Sequence, residues 1–424
     1  MNFNTFLFRF GLNPDNFKDT IVEPIKTEHG FLYEIEQRTD LRTCPFCHND
    51  NTYIKDYDYV EINSSETNHI KDILRIKKVR FYCKQCAKSF TPTLKGLSPY
   101  SKITKQTRNF IRNDFLEKLT FKQIGLRYNI SKARVIQIFD EDFKNVPRLK
   151  MPSVLCIDEI HFTEEYDQKY CCILYDFNSG EIVDIVRNRQ LEYLKEYFSN
   201  IPEKERQNVT FFISDMYDGY ATVQRLFFKN SVHIIDIFHV VTQLTKVINT
   251  LRVRTMNLYS KKGSIEYNFM KSHWKEFLCK SSRISNKMYT SKLTGESYYY
   301  EELVQKCVKL NPNLLKGYNC LQDTLKYSNF FTYSEALRFI EFISNRLLLS
   351  EEELLISVGK TYLRWKHQIA QAFSKIDNGR HYTNAIAESL NNHLKTILKI
   401  SYGCHNFERF RKRALLISTY SKPK

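Results

Sequence analysis

Three acidic residues stand in settings that suit phosphodiester chemistry. Asp158 ends the apolar run Val154-Leu155-Cys156-Ile157, and Asp215 ends Val209-Thr210-Phe211-Phe212-Ile213-Ser214. Each run reads as a buried strand, so each carboxylate would emerge at a sheet edge, where sites of α/β proteins form. Glu388 lies on a helix-like stretch from Asn384 to Lys395. There Ile386, Leu390, Leu394 and Ile397 repeat at helical spacing, while Asn384, Glu388, Asn391 and Lys395 make the opposite stripe. Two strand-end aspartates and a helix-borne glutamate can hold two divalent cations, and paired cations cleave and join phosphodiesters. Oxygen donors of this kind suit Mg2+ or Mn2+ rather than Zn2+. The stripe could equally be a solvated helix face; with 47 Asp and Glu in the chain, settings single these residues out, not their type.

Other acids compete. Glu159 follows Asp158, and strand alternation points it elsewhere. Asp218 reads as the cap of the helix after Asp215. Asp236 ends a third apolar run, Val232 to Asp236, and forms Asp-x-x-His with His239, a pair that can meet on one helical turn. A supporting role is expected for that pair, as for Asn384, Asn391 and Lys395.

The elements that would bring these groups to a substrate are basic. The chain carries a net charge of +17, which favours a polyanionic partner, although such proteins also bind RNA, ribosomes or anionic membranes. Residues 68–150 hold 20 Lys/Arg against 6 Asp/Glu, and residues 389–424 hold 8 against 1, so the remainder of the chain is slightly acidic. Basic ends around a less charged middle suit binding arms on a catalytic core. No apolar run reaches the roughly 18 residues that suggest a membrane helix, and the start, Met1 to Arg9, lacks the order of a signal peptide. Eleven cysteines, an odd number scattered in apolar runs, fit a reduced intracellular compartment.

Four of the cysteines form the pairs Cys44-Pro-Phe-Cys47 and Cys83-Lys-Gln-Cys86. Two such knuckles can place four thiolates tetrahedrally around a structural Zn2+. The segment between them exceeds the usual loop, and its alternating runs (53–62 and 73–82) suggest a long β-hairpin. Buried or disulfide-paired cysteines are the alternative, and His48 is a possible substitute ligand. Further on, Thr120 and Gln123 fit a capping box, Asn129 suits a left-handed turn, and Ser131 caps a second helix. Ile124, Ile130, Val135 and Ile138 would form the core of this helix pair. Lys132, Arg134 and Gln137 would face outwards, into a major groove if the second helix reads DNA, or into solvent if the pair is an ordinary helical hairpin.

The organisation then reads as follows: an N-terminal segment (1–40), a β-rich cysteine ribbon (41–92), a helix-turn-helix (100–142) and a proline-bearing linker (143–152). Next come an α/β region (153–238) with strand candidates at 153–158, 169–177, 181–186, 209–214 and 232–237, a helical region without convincing strands (239–375), and the Glu388 helix with a basic tail (376–424).

Taken together, these residues resemble a family. Cys44-Pro-x-Cys47, Arg80-Phe-Tyr-Cys83-x-x-Cys86, Ile157-Asp158-Glu159, Ser214-Asp215-Met216, Asp236-Ile-Phe-His239, Asn384-x-x-x-Glu388-x-x-Asn391 and Tyr402-Gly403 occur in this order. The chain resembles bacterial insertion-sequence transposases of the ISL-three type, in the RNase H-like DDE superfamily. The resemblance covers Cys44 to about Arg413. It implies a zinc ribbon (Cys44, Cys47, Cys83, Cys86), a helix-turn-helix, and an RNase H-like core interrupted by an all-helical insertion. It makes Asp158, Asp215 and Glu388 the metal-binding catalytic triad. The partners it implies are double-stranded DNA, at element ends and target, and a second copy of the chain on that DNA. It also implies a cytoplasmic, nucleoid-associated protein with no membrane attachment. The rival expectations are a structure-specific nuclease that cuts without joining and a non-catalytic DNA-binding regulator.

Overall fold

The computed structural model describes residues 3–20, 22–28, 30–63, 71–98, 101–162, 170–259, 264–292, 294–327, 332–375, 392, 394–399 and 406–420. The chain divides into two compact units, Met1–Pro147 with Leu394–Lys424, and Arg148–His393. Among the described residues no helix is long and apolar enough to cross a membrane.

The first unit begins with helix α1 (Phe3–Arg9) and a five-stranded sheet: β1 (Ile25–Lys26), β2 (Gly30–Glu36), β3 (Thr52–Asn63), β4 (Lys71–Cys83) and β5 (Ser89–Phe90). The order is β1-β2-β4-β3, with β5 also on β4. β3 and β4 run antiparallel over nearly their whole length, so a hairpin-like pair does fill the gap between the two cysteine motifs. The N-terminal segment, set apart from the ribbon by its sequence, is part of the same sheet, because β2 pairs in parallel with β4.

β4 serves two cores. Leu74 and Ile76 are buried with Phe6, Leu7, Phe10 and Ile35, whereas Val79, Phe81 and Cys83 are buried with Cys44 and Phe90. Burial therefore passes from even to odd positions along one strand. Since successive side chains point to opposite faces, the strand packs first one face and then the other. A bulge in β3 between Ile54 and Asp56 falls in the second part of this ladder.

Three helices follow, α2 (Lys105–Asp114), α3 (Phe121–Arg127) and α4 (Lys132–Asp142). The capping box is present: the Thr120 hydroxyl accepts from the Gln123 N–H, and the Gln123 side chain accepts from the Thr120 N–H. Asn129 takes φ 53° between α3 and α4. Gly125 is required by contact: a Cβ there would lie 2.7 Å from the Ile130 carbonyl. Ile124, Val135 and Ile138 are fully buried and Ile130 partly so, around Phe115, Phe121 and Phe139.

The last helix, Phe407–Tyr420, completes this core through Leu416. Its arginines correct the expectation of a free basic arm. Arg409 grips Asp140 at 2.7 Å, Arg411 donates to the Val146 carbonyl, and Arg413, almost wholly buried, bonds the Leu119 carbonyl and lies over the Phe121 ring.

The second unit is built on a mixed sheet of β6 (Val154–His161), β7 (Tyr170–Asp176), β8 (Ile182–Val186), β9 (Phe211–Ser214) and β10 (Val232–Ile235). The order is β10-β9-β6-β7-β8. β6, β9 and β10 are parallel, while β7 and β8 are antiparallel to their neighbours. The strands form where the apolar runs lie, and the Asn178-Ser179-Gly180 turn joins β7 to β8 with Gly180 at φ 65°. Helices α5 (Leu191–Ser199), α6 (Glu203–Arg206) and α7 (Asp218–Phe227) lie between β8 and β10 in sequence. Leu194 and Phe198 of α5 and Tyr220 and Val223 of α7 cover Leu155, Ile157 and Phe212 of the sheet.

Beyond β10 the unit is mostly helical: α8 (Ile237–Leu258), α9 (Ile265–Ser272), α10 (Tyr300–Val308), α11 (Pro312–Tyr327), α12 (Tyr333–Leu348), α13 (Glu353–Arg364) and α14 (Lys366–Phe373). One feature departs from the expected absence of strands, a hairpin of β11 (Met288–Thr290) and β12 (Ser297–Tyr299). Three-residue strands are too short to show a period of two in the sequence.

Candidate active site and cysteine cluster

Three acids stand level across the parallel strands. Ladder pairing joins Cys156 to Ile213 and Ser214 to Ile235, so Asp158, Asp215 and Asp236 stand at matching height; Asp215 and Asp236 directly follow β9 and β10, whereas Asp158, expected at a strand end, lies inside β6 and pairs with Ile173 of β7. The Asp236 N–H donates to the Ser214 carbonyl, directly beside Asp215. β9 and β10 end there, while β6 continues to His161 because β7 keeps pairing with it.

Asp215 is the most constrained of the three. Its Oδ1 is buried and has no hydrogen-bond partner among the described residues. Burial first, and then the negative charges of Glu159 and Asp158, push its pKa up to about 7, against the Tyr217 N–H and Arg189, which lower it. A carboxyl crowded by like charges with an unpaired oxygen is a position that a divalent cation would relieve. Asp158 accepts from the Glu159 N–H at 2.7 Å. Asp236, with a side chain only 3% exposed, caps α8 by accepting from the Phe238 N–H, and His239 Nε2 lies 3.6 Å from it. Asp158 and Asp236 also act together on buried Cys156 and Tyr175: after burial, Asp236, Asp176 and Asp158 raise the thiol, and Asp158 and Asp236 are among the groups raising the phenol.

Glu159 points to the α7 side of the sheet, as alternation requires, yet it belongs to the same neighbourhood. Both its oxygens accept from Arg189 Nη1, at 3.0 and 2.8 Å, and Oε1 also accepts from the Tyr220 hydroxyl. Nothing in the local pattern reveals this group, because Arg189 and Tyr220 come from distant elements. Asp218 is a second correction: Tyr217 takes the cap position of α7, and Asp218 is paired with Arg364. Asn384, Glu388 and Asn391 lie outside the described residues. Lys395 is exposed on the helical residues 394–399, beside buried Leu394 and Ile397.

In the first unit the four cysteine sulfurs lie within 4.8 Å of one another, with Cys44–Cys86 and Cys47–Cys83 each at 3.6 Å. That is far beyond a disulfide bond, and close to the edge of about 3.8 Å expected for thiolates bound tetrahedrally to Zn2+. The two knuckles match in detail: His48 and Ala87, each following the second cysteine of its pair, both take φ 57°. Burial opposes ionisation of Cys44, but the N–H groups of Phe46 and Cys47 together with the thiols of Cys86 and Cys47 bring it down to about 7. His48 is exposed and stands outside the cluster.

On α4, Lys132 and Gln137 are exposed, with Gln137 bonded to Glu141. Arg134 is half-buried and does not simply face outwards. It lies 3.6 Å from Glu141 and lines a cavity of about 600 Å3 together with Lys102, Lys105, Arg108 and Asn129. Lys102 and Lys105 were hidden in the general basicity of their segment.

Comparison with known proteins gives two findings. A Lactococcus lactis subsp. lactis protein named "ATP-dependent protease" is 29% identical over 115 residues, which cover 27% of this chain and 34% of that protein. The chain thus matches about a third of that relative's length. Gly359-Lys360-Thr361 has the ending of a phosphate-binding loop, but it lies inside α13 and residue 354 is Leu rather than the leading Gly. Gly359 has a packing reason instead, since a Cβ would meet the Ser344 carbonyl at 2.9 Å. The second finding covers much more of the chain: residues 155–414 match the transposase family DDE_Tnp_ISL3. That is more than half of the 424 residues, and the chain belongs to the ISL3-type DDE transposase family.

Proposed function

We propose that this chain binds the terminal inverted repeats of an insertion sequence and catalyses metal-dependent DNA cleavage and strand transfer. The observation that carries the reading is Asp215, with its unpaired buried oxygen, held level with Asp158 and Asp236 across parallel strands. The strand order, with three parallel strands and two antiparallel ones, supports an RNase H-like core, and α8 to α14 would form its helical insertion.

Asp158, Asp215 and Glu388 would hold the cations, and their all-oxygen donor set fits Mg2+ or Mn2+. Bound there, such ions would supply an activated water and stabilise the leaving oxygen of an in-line displacement. Asp215 must lose its proton to take part, and its burial, with the charges of Glu159 and Asp158, raises its pKa to about 7. Asp236 fixes the start of α8 and so sets where His239 stands. The cysteine cluster would hold one structural Zn2+, and Lys132, Arg134 and Gln137 would meet DNA from α4. Joining two element ends suits a homodimer on DNA.

The test uses purified chain, Mg2+ and a duplex carrying the DNA that flanks the coding sequence. Asp158→Asn, Asp215→Asn and Glu388→Gln each abolish cleavage and leave duplex binding intact. Cleavage without a joined product would indicate a nuclease. Binding without any cleavage by the parent chain would indicate a regulator.

A further inference from the structure

We propose that Arg189 is a DNA contact at the edge of the acid cluster, where its guanidinium takes a backbone phosphate of the strand being cut. The proposal rests on the reading of the acids given above. Arg189 lies in the connection between β8 and α5, with its side chain 44% exposed. Its guanidinium carbon stands 5.2 Å from the Tyr170 ring and 5.6 Å from the Tyr217 ring. Its Nη1 donates to both oxygens of Glu159.

These partners tie it to both aspartates. Glu159 is bonded in sequence to Asp158, and both Arg189 and the Tyr217 N–H act to lower the pKa of Asp215. Two aromatic rings and a carboxylate fix the plane of the fork. An arginine that serves only to neutralise a carboxylate usually presents two nitrogens to its two oxygens. Here Nη1 alone serves both, and Nε and Nη2 make no hydrogen bond among the described residues. The fork therefore keeps donors for a second anion. A phosphate diester has the planar pair of oxygens that such donors match, and it must approach this edge if the acids act on its neighbour.

The experiment measures duplex affinity against salt, without added metal, for the full chain and four variants. For Arg189→Gln, affinity between about 50 and about 200 mM salt falls roughly three-fold less than for the parent, as loss of one phosphate contact requires. Arg189→Lys keeps the parent's salt dependence. Glu159→Gln, which frees the guanidinium and removes a negative charge, binds no more weakly than the parent. Unchanged salt dependence in Arg189→Gln, or equal weakening in Arg189→Gln and Glu159→Gln, reduces Arg189 to the counter-ion of Glu159. Asp215→Asn, measured in the same way and then assayed for cleavage with Mg2+ added, separates the two readings. If it still cleaves DNA, the acid-site reading fails while the salt dependence still reports on Arg189.

Discussion

The cysteine cluster and the acid cluster are assembled in different ways. In the first, partners within each pair are three residues apart, and a left-handed residue follows each knuckle. One long pair of strands then brings the two knuckles together. In the second, Asp158, Asp215 and Asp236 meet only because β6, β9 and β10 lie side by side. The two clusters also differ in charge. Among the thiols Cys44 is lowered while burial and neighbouring sulfurs raise Cys47 and Cys86, so tension is shared between like groups, whereas in the acid cluster burial and the charges of Glu159 and Asp158 raise Asp215. A site built locally is legible as a motif; a site built across a sheet stores electrostatic tension that a motif does not show.

The largest test of this contrast is Cys83→Ser. Structural zinc contributes on the order of 10 kcal/mol to small metal-bound folds, so bound zinc falls to none and the cysteine region unfolds. Normal zinc content in that variant would remove the assignment. Next come the acids. Loss of a catalytic carboxylate lowers cleavage on the order of 10^4-fold, and circular dichroism of Asp158→Asn and Asp215→Asn stays native. A variant that cleaves normally leaves the site with one member fewer.

Smaller is an effect of pH on stability, measured with metal chelated. Asp215, raised to about 7, stays protonated in the fold while the unfolded chain ionises, so its contribution is lost as pH rises from about 4 to about 7. His233 is buried, bonded to Ser214, and lowered to about 4 by burial, so its contribution is lost as pH falls from about 6.5 towards 4. The two slopes oppose each other, each worth on the order of 3 kcal/mol. Asp215→Asn therefore leaves a stability that rises with pH, and His233→Gln one that falls. Parallel slopes in the two variants would contradict the burial of one of these groups. Smallest is the cap in the first unit: Thr120→Ala costs about 1 kcal/mol by denaturant midpoint, with the acid site unaffected. No change would mean that tertiary packing alone holds α3.

The helix starts at Thr120 and Ser131, the turn at Asn129 and the strand ends before Asp215 and Asp236 were legible, because each depends on residues within four positions; the continuation of β6 past Asp158 was not, because it depends on pairing with β7. The change of buried face along β4 was not. Its run 73–82 alternates well enough, but which face is apolar depends on the two cores that press on it. The arginines of the C-terminal helix read as a DNA arm because charge is visible in sequence and its partners, such as Asp140, are not. Glu159 was legible as facing away from Asp158, but not as bonded to Arg189 and Tyr220.

By itself, then, the sequence determined the strands of the second unit's main sheet, the caps at Thr120 and Ser131, the four thiols and the points at which Asp215 and Asp236 leave the sheet, since propensity, apolar period and turn chemistry act over short distances. Tertiary structure alone decided which acids stand level, which of them keeps a proton, and which arginine guards the edge. Those properties follow from burial and from charges brought close by strand order, and Coulomb energies depend on distances in space rather than on separation along the chain.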